Sequence, residues 1–239
     1  MLDTILFDLD GTLLPLELDR FTQVYFTEMG LMFKDLIAPE QLVKYIWAAT
    51  KEMVNNTEPR TNETIFMECF GRLINGDLRI YQERFDRFYD EGFLKTRIAV
   101  SNNSDMANSV KLLREKGYQL VIATNPLFPQ KAIHHRIRWA GFEPADFSYI
   151  TSYEANNFCK PQLQFYQEVL DSIGKQPEQC LMVGNDVQED LIAGGLGINT
   201  CLITNHLIHR TAEPISCSWQ GTYHDFFHYA SGLQPLRRG

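Results

Sequence analysis

Among its 239 residues this chain has few cysteines and no pairing pattern among them. The five, Cys69, Cys159, Cys180, Cys201 and Cys217, are odd in number and scattered, with no CxxC spacing. That argues against a disulfide framework and a thiolate zinc site, and fits free thiols in a reducing compartment. Positive charge is also short: 22 Lys and Arg stand against 30 Asp and Glu, for a net charge of −8 and a pI near 5.3. A nucleic-acid partner is therefore not expected, because phosphate-backbone binders cluster Lys and Arg. No apolar run reaches the roughly 18 residues that a membrane-spanning helix needs. The apolar start is broken by Asp3, Asp8 and Asp10 and has no basic leader, unlike a secretory signal. Internal repeats and low-complexity tracts are missing as well. These absences lead to the expectation of a cytoplasmic protein with a small-molecule partner and no membrane association; the oligomeric state is not legible. The length suits one large domain or a core with an insert.

What is present centres on Ile5 to Leu14, Ile-Leu-Phe-Asp-Leu-Asp-Gly-Thr-Leu-Leu. Strand-forming residues from Thr4 to Phe7 run straight into Asp8 and Asp10, with Gly11 and Thr12 next, as a buried strand opening into a turn would. Side chains two apart in an extended chain point the same way, so both carboxylates can face one small volume at the strand's carboxyl end. Like charges so close need a cation or a shared proton. One reading is a Mg²⁺-binding pair, one member of which attacks an electrophile, with Gly11 permitting the sharp turn. The alternative is an acidic strand end at the surface.

From Pro15 to about Gly92 the pattern is helical. Phe21, Val24, Tyr25 and Met32 mark one helix; Leu42, Ile46, Ala49 and Met53, behind Pro39, mark a second. Ile65, Cys69, Phe70 and Leu73 mark a third, and Ile80, Phe85, Phe88 and Tyr89 a fourth. Such stripes are expected to form the core of a small bundle. A polar loop, 55–62, separates the second and third helices.

Beyond Gly92, helix and strand alternate. A helix carrying Met106, Val110 and Leu113 precedes a strand at 119–124, and a helix with Ile133, Ile137 and Ala140 precedes a short strand at 148–151. A helix with Phe165, Val169, Leu170 and Ile173 precedes a strand at 180–183, a helix at 187–193 and a strand at 200–203. The rhythm predicts an α/β fold, a Rossmann-like parallel sheet with helices on both faces and the helical block inserted after the first strand. In the last stretch His224 and His228 share a helical face, a spacing known from metal sites. A terminal helix packed on the sheet is the reading preferred here, with the final residues, 236–239, frayed.

Three further stretches stand where strands end. Thr124 and Asn125 close Ile-Ala-Thr-Asn-Pro; Lys160 precedes Pro161 and a helix; Asp186 and Asp190 follow the strand ending in Val183-Gly184-Asn185. Taken with Asp8-Leu9-Asp10-Gly11-Thr12, these four stretches resemble, in order, the four motifs of the haloacid dehalogenase superfamily, in its phosphatase branch. The resemblance runs from residue 1 to about 205. Asn185 departs from it, since the family often has Asp directly after the glycine.

The resemblance implies a nucleophilic Asp8, an acid/base Asp10, a Thr124 hydroxyl on a phosphoryl oxygen and a charge-stabilising Lys160. It implies Mg²⁺ among Asp8, the main-chain carbonyl of Asp10 and Asp186, with Asp190 as a ligand through water or a support. It further implies that 15–92 is an all-helical cap domain on a core of 1–14 and 93–239, closing by a hinge near Pro15 and Gly92. The expected activity is hydrolysis of a small phosphorylated metabolite through an aspartyl phosphate, with backbone N–H groups near Leu9 and Asn125 assisting. A phosphomutase and a catalytically silent binding protein are the alternatives; a haloalkanoic acid dehalogenase would leave Asp10, Asp186 and Asp190 without a task. Arg20 and Arg60 are candidates for an anionic substrate group, against the plainer reading of solvated or salt-bridged arginines.

Overall fold

The structure is a computed structural model that describes residues 1–236; the expected frayed end falls, from 237 on, outside the described residues. Six parallel strands form one sheet in the order β3-β2-β1-β4-β5-β6, with β1 Thr4–Phe7, β2 Gln119–Ile122, β3 Tyr149–Ile150, β4 Cys180–Gly184, β5 Asn199–Ile203 and β6 Trp219–Gly221. β1 is central because it is buried on both sides. Ile5 and Phe7 pack into the larger apolar cluster with Met106, Val110, Ile133 and Phe226, while Leu6 packs with Val121, Met182, Phe165 and Val169. Period-two alternation within an all-apolar strand thus serves two helix layers. One layer holds α5 Ser104–Glu115, α6 Gln130–Trp139 and α8 Tyr223–Gly232; the other holds α7 Leu163–Ile173.

Between β1 and β2 lie the four expected helices, α1 Leu18–Phe33, α2 Pro39–Val54, α3 Asn62–Leu73 and α4 Leu78–Asp90. Pro39 opens α2 at its first turn, and Thr61 and Asp77 cap α3 and α4 by accepting from the N–H groups of Thr64 and Arg79. Their shared interior is aromatic: Phe33 and Phe85 have centroids 4.8 Å apart, and Phe70 and Phe85 5.3 Å. The chain returns to the core through a 3₁₀ segment at Gly92–Ala99, which the periodicity does not reveal.

Two further details differ from expectation. The helix expected at 187–193 is instead a turn leading into a 3₁₀ segment at Leu191–Leu196: the Asp190 side chain folds back onto the Asp186 N–H and is held by Lys160, which pins the segment as a compact turn. A sixth strand, β6, lies in the segment that shows no period, since three residues are too few to display one. The terminal helix is present as α8, with Phe226 edge-on to Phe7 at 6.2 Å. No helix among the described residues is long and apolar enough to cross a membrane.

Candidate active site

Sheet register brings the motif residues together. Phe7 pairs with Ile122 on one side and Val183 on the other, so Asp8, Thr124 and Gly184 all leave the sheet at its carboxyl edge. The N–H of Asp8 still donates to Val183 O at 2.9 Å, which fixes its backbone before the turn. The strand order reverses between β1 and β4, the place where open parallel sheets bind ligands. Gly11 then turns with φ +82°, and a Cβ there would lie 2.4 Å from Asn185 Nδ2. Asn185 accepts from the Thr12 hydroxyl at 3.0 Å and donates to His206 O at 2.6 Å. It therefore clamps three segments, which gives an uncharged residue a task at the position where a family Asp is common.

Lys160 is buried and joins two carboxylates, donating to Asp8 Oδ1 at 2.9 Å and Asp190 Oδ1 at 2.6 Å. Asp190 uses its other oxygen to accept from the N–H of Asp186 at 2.9 Å. Both its oxygens are thus committed, and it supports Lys160 and the Asp186 turn. The packing is close: a Cβ on Gly184 would come within 2.0 Å of Asp190 Oδ2. Asp186 accepts from the N–H groups of Gln188 and Glu189, each at 3.0 Å, and pairs with Arg210 at 2.6 Å. Asp10 lies against Arg136, whose side chain is 1% exposed and sits over the Phe128 ring at 4.5 Å.

Negative charge is in excess here. Burial, with Asp190 and Asp10 nearby, pushes the Asp8 carboxyl up to about 8 in spite of Lys160. Burial likewise raises Glu189, which accepts from Asn125 Nδ2 at 3.0 Å. Lys160 is driven the other way from the fall that burial alone would cause: Asp190 and Asp8 hold its ammonium well above the ordinary lysine range.

Asp8, Asp10, Thr124, Asn125, Asp186 and Asp190 line a cavity of about 530 Å³, and Lys160, which is not part of its lining, reaches it through Asp8 and Asp190. Of the residues singled out in the sequence, Arg20 and Arg60 do not line it; Arg60 pairs with Glu68 at 2.5 Å. His224 and His228 do share a face, 3.0 Å apart, but on the exposed side of α8 and outside the lining of this cavity. Arg136, Arg210 and Glu189 also line the cavity; Glu189 belongs to the acidic stretch after β4 but was expected only as a charge at a helix start, and the two arginines were not expected there. Arg136 had a signal, since it falls on the same buried face of α6 as Ile133 and Ile137; Arg210 comes from an irregular loop and had none.

The donor set fits a hard divalent cation in its chemistry, because it offers oxygen only and carries surplus negative charge. Asp10 Oδ1 is buried without a hydrogen-bond partner, and Asp10 O and the second oxygen of Asp8 accept no hydrogen bond among the described residues. The side chains are not gathered for coordination, however: no group of three or more His, Cys, Asp or Glu among the described residues is spaced to hold an ion. Arg210 occupies the acceptors of Asp186 and, being half exposed, can withdraw from them.

The family model for haloacid dehalogenase-like hydrolases matches residues 2–195. The chain is 27% identical over 111 residues to a glyceraldehyde 3-phosphate phosphatase of Methanothermobacter thermautotrophicus, a match covering 43% of this chain and 45% of that protein. It thus spans under half the length of this curated relative. Two solved structures have similar folds. The crystal structure of an HAD phosphatase from Thermococcus onnurineus gives a TM-score of 0.61 at 16% identity, covering 98% of this chain and 100% of the other. An L-2-haloacid dehalogenase from Xanthobacter autotrophicus gives 0.57 at 14% identity, covering 98% and 100%. At such identities the likeness concerns the fold alone, and it is shared by a phosphatase and a dehalogenase.

Proposed function

From the premise that this chain belongs to the haloacid dehalogenase-like hydrolases, we propose that it is a Mg²⁺-dependent phosphatase, transferring the phosphoryl group of a small phosphomonoester to Asp8 and then to water. The observation that carries this reading is Asp8 itself. It is 9% exposed, borders the 530 Å³ cavity and has one oxygen held by Lys160 and the other free of hydrogen bonds among the described residues.

Asp8, the main-chain carbonyl of Asp10 and Asp186 would hold the ion, with Asp190 in support. When bound, the ion neutralises charge between the carboxylates and the phosphoryl oxygens. An Asp8 oxygen attacks phosphorus in line, the Asp8–phosphorus bond forms and the ester P–O bond breaks. Asp10 gives its proton to the leaving alkoxide. In the second step Asp10 takes a proton from water, whose oxygen displaces Asp8 from phosphorus. Lys160 balances the charge of Asp8 throughout. The Thr124 hydroxyl and the N–H groups of Leu9 and Asn125 would bind the phosphoryl oxygens; neither N–H donates to another main-chain group among the described residues, which supports that role. Arg136, which lines the same cavity, orients the Asp10 side chain.

Dehalogenation expels a halide that needs no proton donor, so it would leave the Asp10–Arg136 pair unused. We further propose that 15–92 acts as a cap domain on a core of 1–14 and the residues from 93 on. The test is phosphate release from a panel of phosphomonoesters, with Mg²⁺ or a chelator, for wild type and Asp8→Asn. Release that needs both Mg²⁺ and Asp8 supports the reading. Release by folded Asp8→Asn, or halide release from 2-haloacids without phosphate release, overturns it.

A further inference from the structure

Beside the catalytic cavity lies a second hollow of about 200 Å³, between the helical block and the sheet core. Resting on the phosphatase reading above, we propose that the substrate's alcohol carries an apolar group about the size of one six-membered ring, and that this group sits in the hollow.

The position follows from the leaving group. Its oxygen must reach Asp10 to take a proton, and Asp10 lines both cavities, together with Leu18, Trp47, Leu127 and Phe128. A substrate whose phosphoryl group meets Asp8 therefore extends past Asp10 towards the hollow. Leu18 and Trp47 stand 53% and 55% exposed beside this junction, two apolar side chains that line both cavities.

Chemistry of the walls decides the class. Phe21 and Tyr25 from α1, Phe66 from α3, Phe85 from α4 and Phe128 from the core form an aromatic lining. The Tyr25 and Tyr89 hydroxyls are 3.0 Å apart and share one hydrogen bond, which leaves one O–H proton between them to offer a ligand. Only Thr22, Thr50, Tyr153 and Asp10 add polar groups, and the lining has no Lys, Arg or His among the described residues. A second carboxylate or phosphate would find no cation, and a polyol would leave hydroxyls unsatisfied at a cost for each. An apolar ring finds dispersion contacts on all sides. An apolar cavity of about 150 Å³ is enough to accept benzene, so the volume fits one ring.

The experiment is calorimetric titration with benzylphosphonate and methylphosphonate in the presence of Mg²⁺, on wild type and on Thr50→Trp, which fills the hollow. In parallel, kcat/KM is measured for benzyl phosphate and 2-phosphoglycolate. Burial of the ring is expected to tighten benzylphosphonate over methylphosphonate by about tenfold or more. That preference is expected to collapse in Thr50→Trp, with methylphosphonate binding reporting that the variant is folded. Benzyl phosphate is expected to exceed 2-phosphoglycolate in kcat/KM by a similar factor. Equal affinities, binding of neither phosphonate, or a preference for 2-phosphoglycolate overturns the assignment. Tight benzylphosphonate binding without hydrolysis of any ester overturns the phosphatase reading and leaves the hollow assigned.

Discussion

The guanidinium of Arg136, on the buried face of α6, lies against the carboxylate of Asp10 from the loop after β1, a contact between residues 126 positions apart. Its second amino group has no hydrogen-bond partner, so Asp10 is the sole anion that Arg136 meets among the described residues. Asp8, two residues away, is held by a lysine that already has another carboxylate.

This contrast gives opposite stability effects for two neighbouring aspartates. Asp10→Asn leaves a buried guanidinium without its counter-charge and is expected to cost about 3 kcal/mol. Asp8→Asn removes a surplus buried carboxylate and is expected to be neutral or stabilising at pH 8, because Lys160 keeps Asp190. Denaturant unfolding of both variants without Mg²⁺ checks the ordering; equal losses would contradict it.

Lys160→Met should be costly in both respects. It strands Asp190 and Asp8 in a buried site, with an expected loss of about 3–5 kcal/mol. Removing the charge partner of the nucleophile is expected to lower kcat by about 100- to 1,000-fold. Thermal unfolding and steady-state rates measure the two separately.

Divalent-cation binding should depend on pH with a definite sign. The Asp8 carboxyl, raised to about 8 by burial, holds a proton below that pH in the cation-free protein. A cation must displace this proton, so apparent affinity is expected to rise about tenfold per pH unit up to about pH 8 and then level off. In the cation-free protein the same shift favours the fold at acid pH, and that contribution is lost as pH rises from about 4 through about 8. A Mg²⁺ affinity flat from pH 6 to 8 would contradict this.

Gly184→Ala should damage the site through packing alone, since its Cβ would come within 2.0 Å of Asp190 Oδ2. The expected cost is about 1–3 kcal/mol, with loss of activity as Asp190 is pushed off Lys160. Gly194→Ala, with nothing within 4 Å of the added atom, is the control and should leave both unchanged. Unfolding midpoints and phosphate release for the two variants give the comparison.

Much of this architecture was legible because its signals are local. The apolar runs of β1, β2, β4 and β5 and the stripes of α1 to α4 each sit within one window of sequence, and Asp8, Thr124, Lys160 and Asp186 follow strands or precede a helix. What was not legible depends on distant contacts. The Asp186–Asp190 segment has a helix-like sequence but turns instead, because the Asp190 side chain folds back onto the Asp186 N–H and is held by Lys160, a residue 30 positions away. Arg136 falls on the stripe of Ile133 and Ile137, but its partner Asp10 appears only once α6 is docked. Arg210 reaches Asp186 from a loop whose path no periodicity records.

The central claim is that Asp8 itself accepts the phosphoryl group. The most direct measurement is acid quench of a single turnover with a substrate radiolabelled in its phosphoryl group, followed by peptide mapping. The account predicts a transient label that survives acid, is released by alkali or hydroxylamine, and maps to the peptide carrying Asp8. Turnover at full rate with no label on the protein, or with the label on another residue, would contradict it.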